Sequence, residues 1–265
     1  YPPIVSPHTD RLPAAQDEIR LDGHAFEARI YAEDAAKGFL PAIGTLHHLR
    51  FPRGEGVRVE TGVRQGDAIS PYYDPMIAKL VVHAGDRAAA LDRLSQALAG
   101  TEIAGCVTNT AFLAALAADP DFAAGDVDTG LIGRKQDELT ALPQPATAAT
   151  AAAALAASGA TLAPDALDPW DALGGYAHFH PVKRQVTLRR GDDEVSAFVS
   201  ASGGRLGVEM DGTTYAVGGA SLATWPGHVT VFDRAVGHTF DVPDPFAEAA
   251  EAGGGEAAAA GTDER

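Results

Sequence analysis

The chain has 265 residues, 46% of them hydrophobic, and a formal net charge of −16, which suits one large domain or two ordinary ones with globular cores. The first 135 residues carry 13 basic and 18 acidic side chains and the rest carry 7 and 18, so neither part offers the basic patch that nucleic acid or anionic lipid would need. A single cysteine, Cys106, excludes an intrachain disulfide.

Residues 1–20 are Pro-rich and polar and read as an extended lead-in. YPPIVSPHTDR lacks the basic and then apolar segments of a signal peptide. Strand patterns follow at 24–32, 45–51, 57–61 and 77–83. In the first of them, within GHAFEARIYAED, Phe26, Ala28, Ile30 and Ala32 alternate with Glu27, Arg29 and Tyr31. Glu27 and Arg29 therefore share one face of a half-buried strand. Asp86 is placed to cap a helix with Ala90, Leu91, Leu94, Ala97 and Leu98 on one side, and Gly100 to stop it. A second helix starts near Thr108, shows Phe112, Leu113 and Leu116, and ends at Asp119–Pro120. These elements predict an α+β unit over 21–135.

The composition changes over 136–168, where ALPQPATAATAAAALAASGA is almost all Ala, Thr, Ser and Pro. Alanine favours a short helix, and a plain linker reads equally well. Its apolar run at 151–157 is far too short for a bilayer, so the sequence predicts a soluble protein or a piece of one. From 169 to 245 the period becomes two: Val186 and Leu188, then Val195, Ala197 and Val199, then Leu206, Val208 and Met210. Asp211–Gly212 separates the last run from Tyr215 and Val217 and marks a tight hairpin. Two more strands fit at 228–233 and 236–242. Short strands at this spacing predict a small antiparallel barrel or sandwich. Residues 246–265 are Ala, Gly and Glu with no aromatic after Phe246, the composition of a flexible linker.

GHAFEARIYAED, GFLPAIGTL, GVRVETGV, SPYYDPMIAKL and TEIAGCVTNTAFL stand in this order and together resemble the C-terminal domain of biotin carboxylase. This is the ATP-grasp component of biotin-dependent carboxylases. The resemblance covers about residues 20–135. The part beginning DPWDALGGY, through Pro169, Trp170, Leu173 and Gly174, is similar to the small β-barrel bridging domain of acyl-CoA carboxylase alpha subunits, most of all those acting on methylcrotonyl-CoA.

The resemblance implies a role for Arg29. The family uses ATP, with Mg or Mn, to activate bicarbonate as carboxyphosphate, and the carboxyl group passes to a ureido nitrogen of biotin. Negative charge develops on the ureido oxygen, and an arginine of the E-x-R-I-x-A-E-D block stabilises it through charge-assisted hydrogen bonds. Arg29 matches that arginine and is the candidate catalytic residue. Glu27 is the candidate support, orienting the guanidinium by an ion pair; the alternative is an ordinary surface pair of little worth.

Other polar residues read more plainly. Glu33 and Asp34 fit a cap on the next turn. Tyr72, Tyr73, Asp74 and Lys79 fit a turn at Asp74–Pro75 leading into a buried strand. Arg58 matches an arginine at the dimer contact of stand-alone bacterial biotin carboxylases, although alpha subunits with a bridging domain assemble differently. His47–His48 read as alternating strand residues rather than metal ligands, and Cys106 as structural.

The family's ATP-binding residues, metal-binding glutamates and catalytic glutamate lie upstream of the matched part and have no counterpart here. No GxxxxGK loop occurs. None of the four lysines, Lys37, Lys79, Lys135 and Lys183, adjoins Met76 or Met210, whereas the family biotinylates a lysine flanked by methionines. The resemblance thus implies a partial alpha subunit, cut at both ends, whose biotin rides on a carrier domain outside the chain. Its implied partners are that carrier domain and a carboxyltransferase (beta) subunit, in the cytoplasm or, in a eukaryote, the mitochondrial matrix. The competing expectation is a non-catalytic assembly module.

Overall fold

A computed structural model describes residues 14–160, 182–202, 205–217 and 220–243. The expectations for Pro169, Trp170, Leu173, Gly174 and the tail 246–265 lie outside these residues, as does most of the lead-in, whose described end holds a short 3-10 turn at Gln16–Glu18.

The first unit contains β1 (His24–Tyr31), β2 (Glu33–Asp34), β3 (Leu40–Pro41), β4 (Gly44–Thr45), β5 (His48–Arg50), β6 (Val57–Thr61), β7 (Ala68–Ile69), β8 (Met76–Ala84), α1 (Arg87–Ala99), β9 (Glu102–Ala104), α2 (Thr110–Ala118), α3 (Pro120–Ala124), α4 (Leu131–Arg134) and α5 (Gln136–Leu139). β1, β8 and β6 form an antiparallel sheet in that order, and β2–β3, β4–β7 and β5–β9 pair as small ladders. The strand pattern at 45–51 is split between β4 and β5, because residues 46 and 47 pair with neither ladder.

Alternation explains the layering. Ala28 and Ile30 of β1 and Ala78, Leu80 and Val82 of β8 are buried, and α1 covers them with Ala90, Leu91, Leu94, Ala97 and Leu98. Asp86 caps α1 by accepting the Ala89 N–H at 2.8 Å, a contact worth about 1 kcal/mol. Asp119 ends α2 and caps α3 by accepting from Asp121 and Phe122, both at 3.0 Å, while Pro120 occupies the first turn, where its missing N–H costs nothing. Gly23 opens β1 at φ +66°, where a Cβ would lie 2.1 Å from the Ala84 carbonyl oxygen. Only glycine lets the chain enter the strand this close to the end of β8.

The second unit contains α6 (Thr147–Ser158), β10 (Lys183–Arg190), β11 (Asp193–Ser202), β12 (Arg205–Met210), β13 (Thr213–Ala216), β14 (Ser221–Trp225), β15 (His228–Asp233) and β16 (Val236–Asp241). Within the described part of 136–168, residues Thr147–Ser158 form a helix. The seven strands form one antiparallel sheet in the order β13-β12-β11-β10-β16-β15-β14. Asp211 and Gly212, at φ 49° and 74°, make the tight turn from β12 to β13. β14 has no counterpart among the predicted strands, since SLATW alternates weakly between Gly and Pro.

The expected closed barrel is not found. Among the described residues no ladder joins edge strands β13 and β14, so the sheet is open. Its inner face packs on α6 instead. Ala149 and Ala151–Ala154 are buried together with Val186, Leu188, Val199, Val208, Val231 and Phe240. In a small closed barrel, side chains from opposite strands fill the interior. Here a helix fills it, and methyl side chains let its backbone come close. That explains a run of alanines where a bulkier face would leave no room.

His238 on β16 is the odd member of this interior. It is 2% exposed, and its Nδ1 has no hydrogen-bond partner. Burial pushes its pKa down, the charge of Arg190 adds to this, and Asp233 opposes it. A depressed histidine pKa means that the unfolded chain takes up the proton first. Stability is thus complete above the unfolded value of about 6.5 and falls as the pH drops through the folded value. Thermal unfolding at stepped pH should show a loss below about pH 6.5 that His238→Leu removes. Equal acid sensitivity in the two proteins would mean that His238 is not the group responsible.

Candidate functional site

β1 places Glu27 and Arg29 on the face opposite the core, as its alternation requires. The Arg29 Nε donates to Glu27 Oε1 at 3.0 Å, and the two side chains are 61% and 42% exposed. The hydrogen bond to Glu27, and then one to Tyr31, hold the guanidinium pKa above its usual value. A guanidinium carries five N–H donors, so these two contacts leave donors over.

The neighbouring strands complete this face. Arg29 lies opposite Lys79 of β8, which lies opposite Glu60 of β6. Lys79 Nζ meets Glu60 Oε2 at 2.5 Å, and Arg58 meets Glu60 Oε1 at 3.1 Å. Like charges directly across a ladder repel; here Glu27 and Glu60 separately offset Arg29 and Lys79. Arg58, Lys79 and Arg29 stand against Glu27 and Glu60 on this face. In a chain of net charge −16, this face has one more basic than acidic side chain among these five.

β1 is an edge strand, and its free edge borders a cleft of about 400 Å³ lined by Phe26, Arg29, Tyr31, Glu33, Asn109 and Phe122, among others. Glu33 is held above its ordinary pKa by burial and by the charge of Asp74. Asn109 is absent from the candidates that the sequence suggests. It sits at the N-cap of α2 but makes no side-chain capping bond there. Such a cap is ordinarily worth about 0.5–2 kcal/mol. Its carboxamide instead reaches β1, with Oδ1 accepting the Tyr31 N–H at 2.9 Å and Nδ2 donating to the Arg29 carbonyl at 3.1 Å. The TNT sequence at a helix start is the only local sign, and it does not say where the side chain goes.

Glu33 lines the same cleft as Arg29; the other candidates lie apart from Arg29 or behave as turn residues. Asp34 accepts the Ala36 N–H at 3.1 Å and pairs with Lys37, while Glu33 is held in the β2–β3 ladder. Asp74 accepts the Met76 N–H at 3.2 Å, and Tyr72 and Tyr73 beside it are exposed. Cys106 is half-buried, and its burial pushes the thiol pKa up to about 11.

His47 and His48 point in different directions, as strand neighbours do. His47 stacks on Trp225 with centroids 5.2 Å apart, and Trp225 stacks on His228 at 5.3 Å. His48 joins Glu102, which is 4% exposed and central to the contact between the units. Its Oε2 accepts from His48 Nε2 at 3.0 Å and Arg50 Nε at 2.9 Å, while Oε1 accepts from Ser221 at 2.7 Å and from a second Arg50 nitrogen. Local sequence does not mark Glu102, because all four of its donors come from residues more than fifty positions away.

Residues 27–134 match the family model of the biotin carboxylase C-terminal domain. The chain is 44% identical over 200 residues to the mitochondrial methylcrotonoyl-CoA carboxylase subunit alpha of Dictyostelium discoideum, a match covering 73% of this chain and 29% of that protein. It is 51% identical over 136 residues to the protein of the same name from Glycine max, covering 51% and 19%. The biotin carboxylase domain of the Hydrogenobacter thermophilus 2-oxoglutarate carboxylase, solved with MgADP, ADP and bicarbonate, aligns with a TM-score of 0.49 at 38% identity, covering 51% of this chain and 30% of that one. The chain spans less than a third of the length of these relatives.

Proposed function

We propose, for a chain whose residues 27–134 belong to the biotin carboxylase C-terminal domain family, that it forms one wall of the biotin site in the alpha subunit of a methylcrotonoyl-CoA-type carboxylase. The observation that carries this reading is Arg29, an exposed guanidinium on β1, steadied by Glu27 and standing on a face with three basic side chains against two acidic ones. The donor set fits a ureido oxygen, because a planar fork with donors to spare suits an oxygen on which negative charge develops. The cleft beside β1 falls in the size range of small-molecule sites. Bound biotin would supply the nitrogen that takes the carboxyl group. This chain's part is to hold Arg29 beside the ureido oxygen and to keep Glu27 on its Nε.

ATP, bicarbonate and Mg or Mn would bind on a segment preceding residue 27, and biotin would arrive on a carrier domain. The curled sheet around α6 would dock on a carboxyltransferase subunit as a bridging domain. The 200-residue match to the Dictyostelium relative supports this, being longer than the segment 27–134 alone. By analogy with that relative, the setting would be the mitochondrial matrix in a eukaryote and the cytoplasm otherwise.

The test is phosphate release from ATP by the full-length protein carrying this sequence. Bicarbonate-dependent release that rises with added biotin is expected. No release with or without biotin would leave the assembly-module reading in its place.

A further inference from the structure

Arg29 sits where β1 is least supported by its own sheet. On the β8 side, the register slips between Ile30 and Tyr31, which pair with Ala78 and Met76. On the other side, β1 has no strand neighbour among the described residues. A strand with an interrupted ladder on one edge and none on the other is free to twist, and a long arginine side chain magnifies any twist at its tip.

Asn109 fills that open edge. Nδ2 donates to the Arg29 carbonyl at 3.1 Å, Oδ1 accepts the Tyr31 N–H at 2.9 Å, and the Asn109 backbone N–H donates to the Tyr31 carbonyl at 3.2 Å. One residue thus provides two donors and one acceptor, as a neighbouring strand would, to Arg29 and Tyr31 on either side of Ile30, where the slip begins. Asn109 is 6% exposed, so its bonds are shielded from water, and it forgoes capping its own helix.

We propose that Asn109 is a positioning residue for Arg29, setting the strand twist and so the direction of the guanidinium. This rests on the reading of Arg29 as the group that meets the ureido oxygen. Residue chemistry makes the assignment specific. Asp would turn an oxygen toward the Arg29 carbonyl, Gln is a methylene too long for this gap, and Ala would leave two edge groups bare.

The experiment is a double-substitution cycle in the full-length protein, using Arg29→Ala, Asn109→Asp and both together. Asn109→Asp keeps an acceptor for Tyr31 and replaces the donor to the Arg29 carbonyl with a carboxylate oxygen. It should lower biotin carboxylation by up to about 100-fold, the scale of an ångström of misplacement. In the Arg29→Ala background the same change should lower it no further, because there is no guanidinium left to aim. A structural role would instead give losses that multiply, and that result, or Asn109→Asp at full activity beside an inactive Arg29→Ala, would overturn the inference while leaving the role of Arg29 intact. Full activity of Arg29→Ala would overturn both. Asn109→Ser is the second variant. If neither Asn109 variant folds where Arg29→Ala does, Asn109 is a stability element and the inference is overturned.

Discussion

Arg29→Ala in the full-length protein should lower biotin carboxylation roughly 100- to 1000-fold, the usual loss when one donor aimed at a developing oxyanion is removed. Its effect on unfolding should be barely measurable. Arg29 is 61% exposed and pairs with Glu27 two residues away; such surface pairs contribute little to stability. The separation of rate from stability is what distinguishes the catalytic role from an ordinary surface pair. Arg29→Lys should recover little, since an ammonium offers a point charge and not a fork. Glu27→Gln should cost far less than Arg29→Ala, because it loosens the guanidinium without removing it. Steady-state rates and thermal melts on the same samples decide the matter. A folded Arg29→Ala protein turning over at the wild-type rate would leave β1 as a structural strand.

Glu102→Ala should give the largest loss of stability, about 3 kcal/mol, at the low end for a broken buried ion pair. The low end applies because Arg50 is 60% exposed and recovers water when its partner is lost. His48, at 23% exposure, and Ser221 recover less. Burial by itself would raise the Glu102 carboxyl pKa, but hydrogen bonds from Arg50, Ser221 and His48 outweigh it, and the net shift is downward. A carboxylate depressed in the folded state adds stability above its unfolded value, near 4.3, and loses it as the pH falls through the lower folded value. Urea titrations should therefore show Glu102→Gln less stable than wild type at neutral pH, with the gap closing as the pH falls below the unfolded value of about 4.3. A gap that persists in acid would mean that the loss comes from packing and not from charge. Ser221→Ala should cost less, about 1–3 kcal/mol for one bond to a charged group, and it isolates the contact between the units.

Much of the site is legible in the sequence because its pattern is local. The two-residue period of Phe26, Ala28 and Ile30 is enough to put Glu27 and Arg29 on one face. That spacing permits their contact, which the structure shows at 3.0 Å. Asp86 and Asp119 are legible as helix boundaries because capping depends on a side chain three or fewer residues from the amide it serves. Asp211–Gly212 is legible because few residues tolerate positive φ twice in succession.

The amino-acid sequence by itself therefore determined the bounds of β1, β6, β8, α1 and α2 to within two residues, which side of β1 carries charge, and, through ordered blocks, the family of residues 27–134. The tertiary structure decided what those elements touch. Asn109 holds β1 from 78 and 80 positions away, and Glu102 takes Ser221 from 119. The alanine run became the filling of a curled sheet, and that sheet stayed open where a closed barrel was expected. His238 alternates like any strand residue, yet it is buried without a partner for Nδ1. The physical reason is range. Periodicity, caps and turns express backbone sterics and bonds within a few residues, which a short window of sequence contains. Pairing across the chain is chosen by burying apolar area and satisfying polar groups over the whole molecule at once, and no window contains that competition.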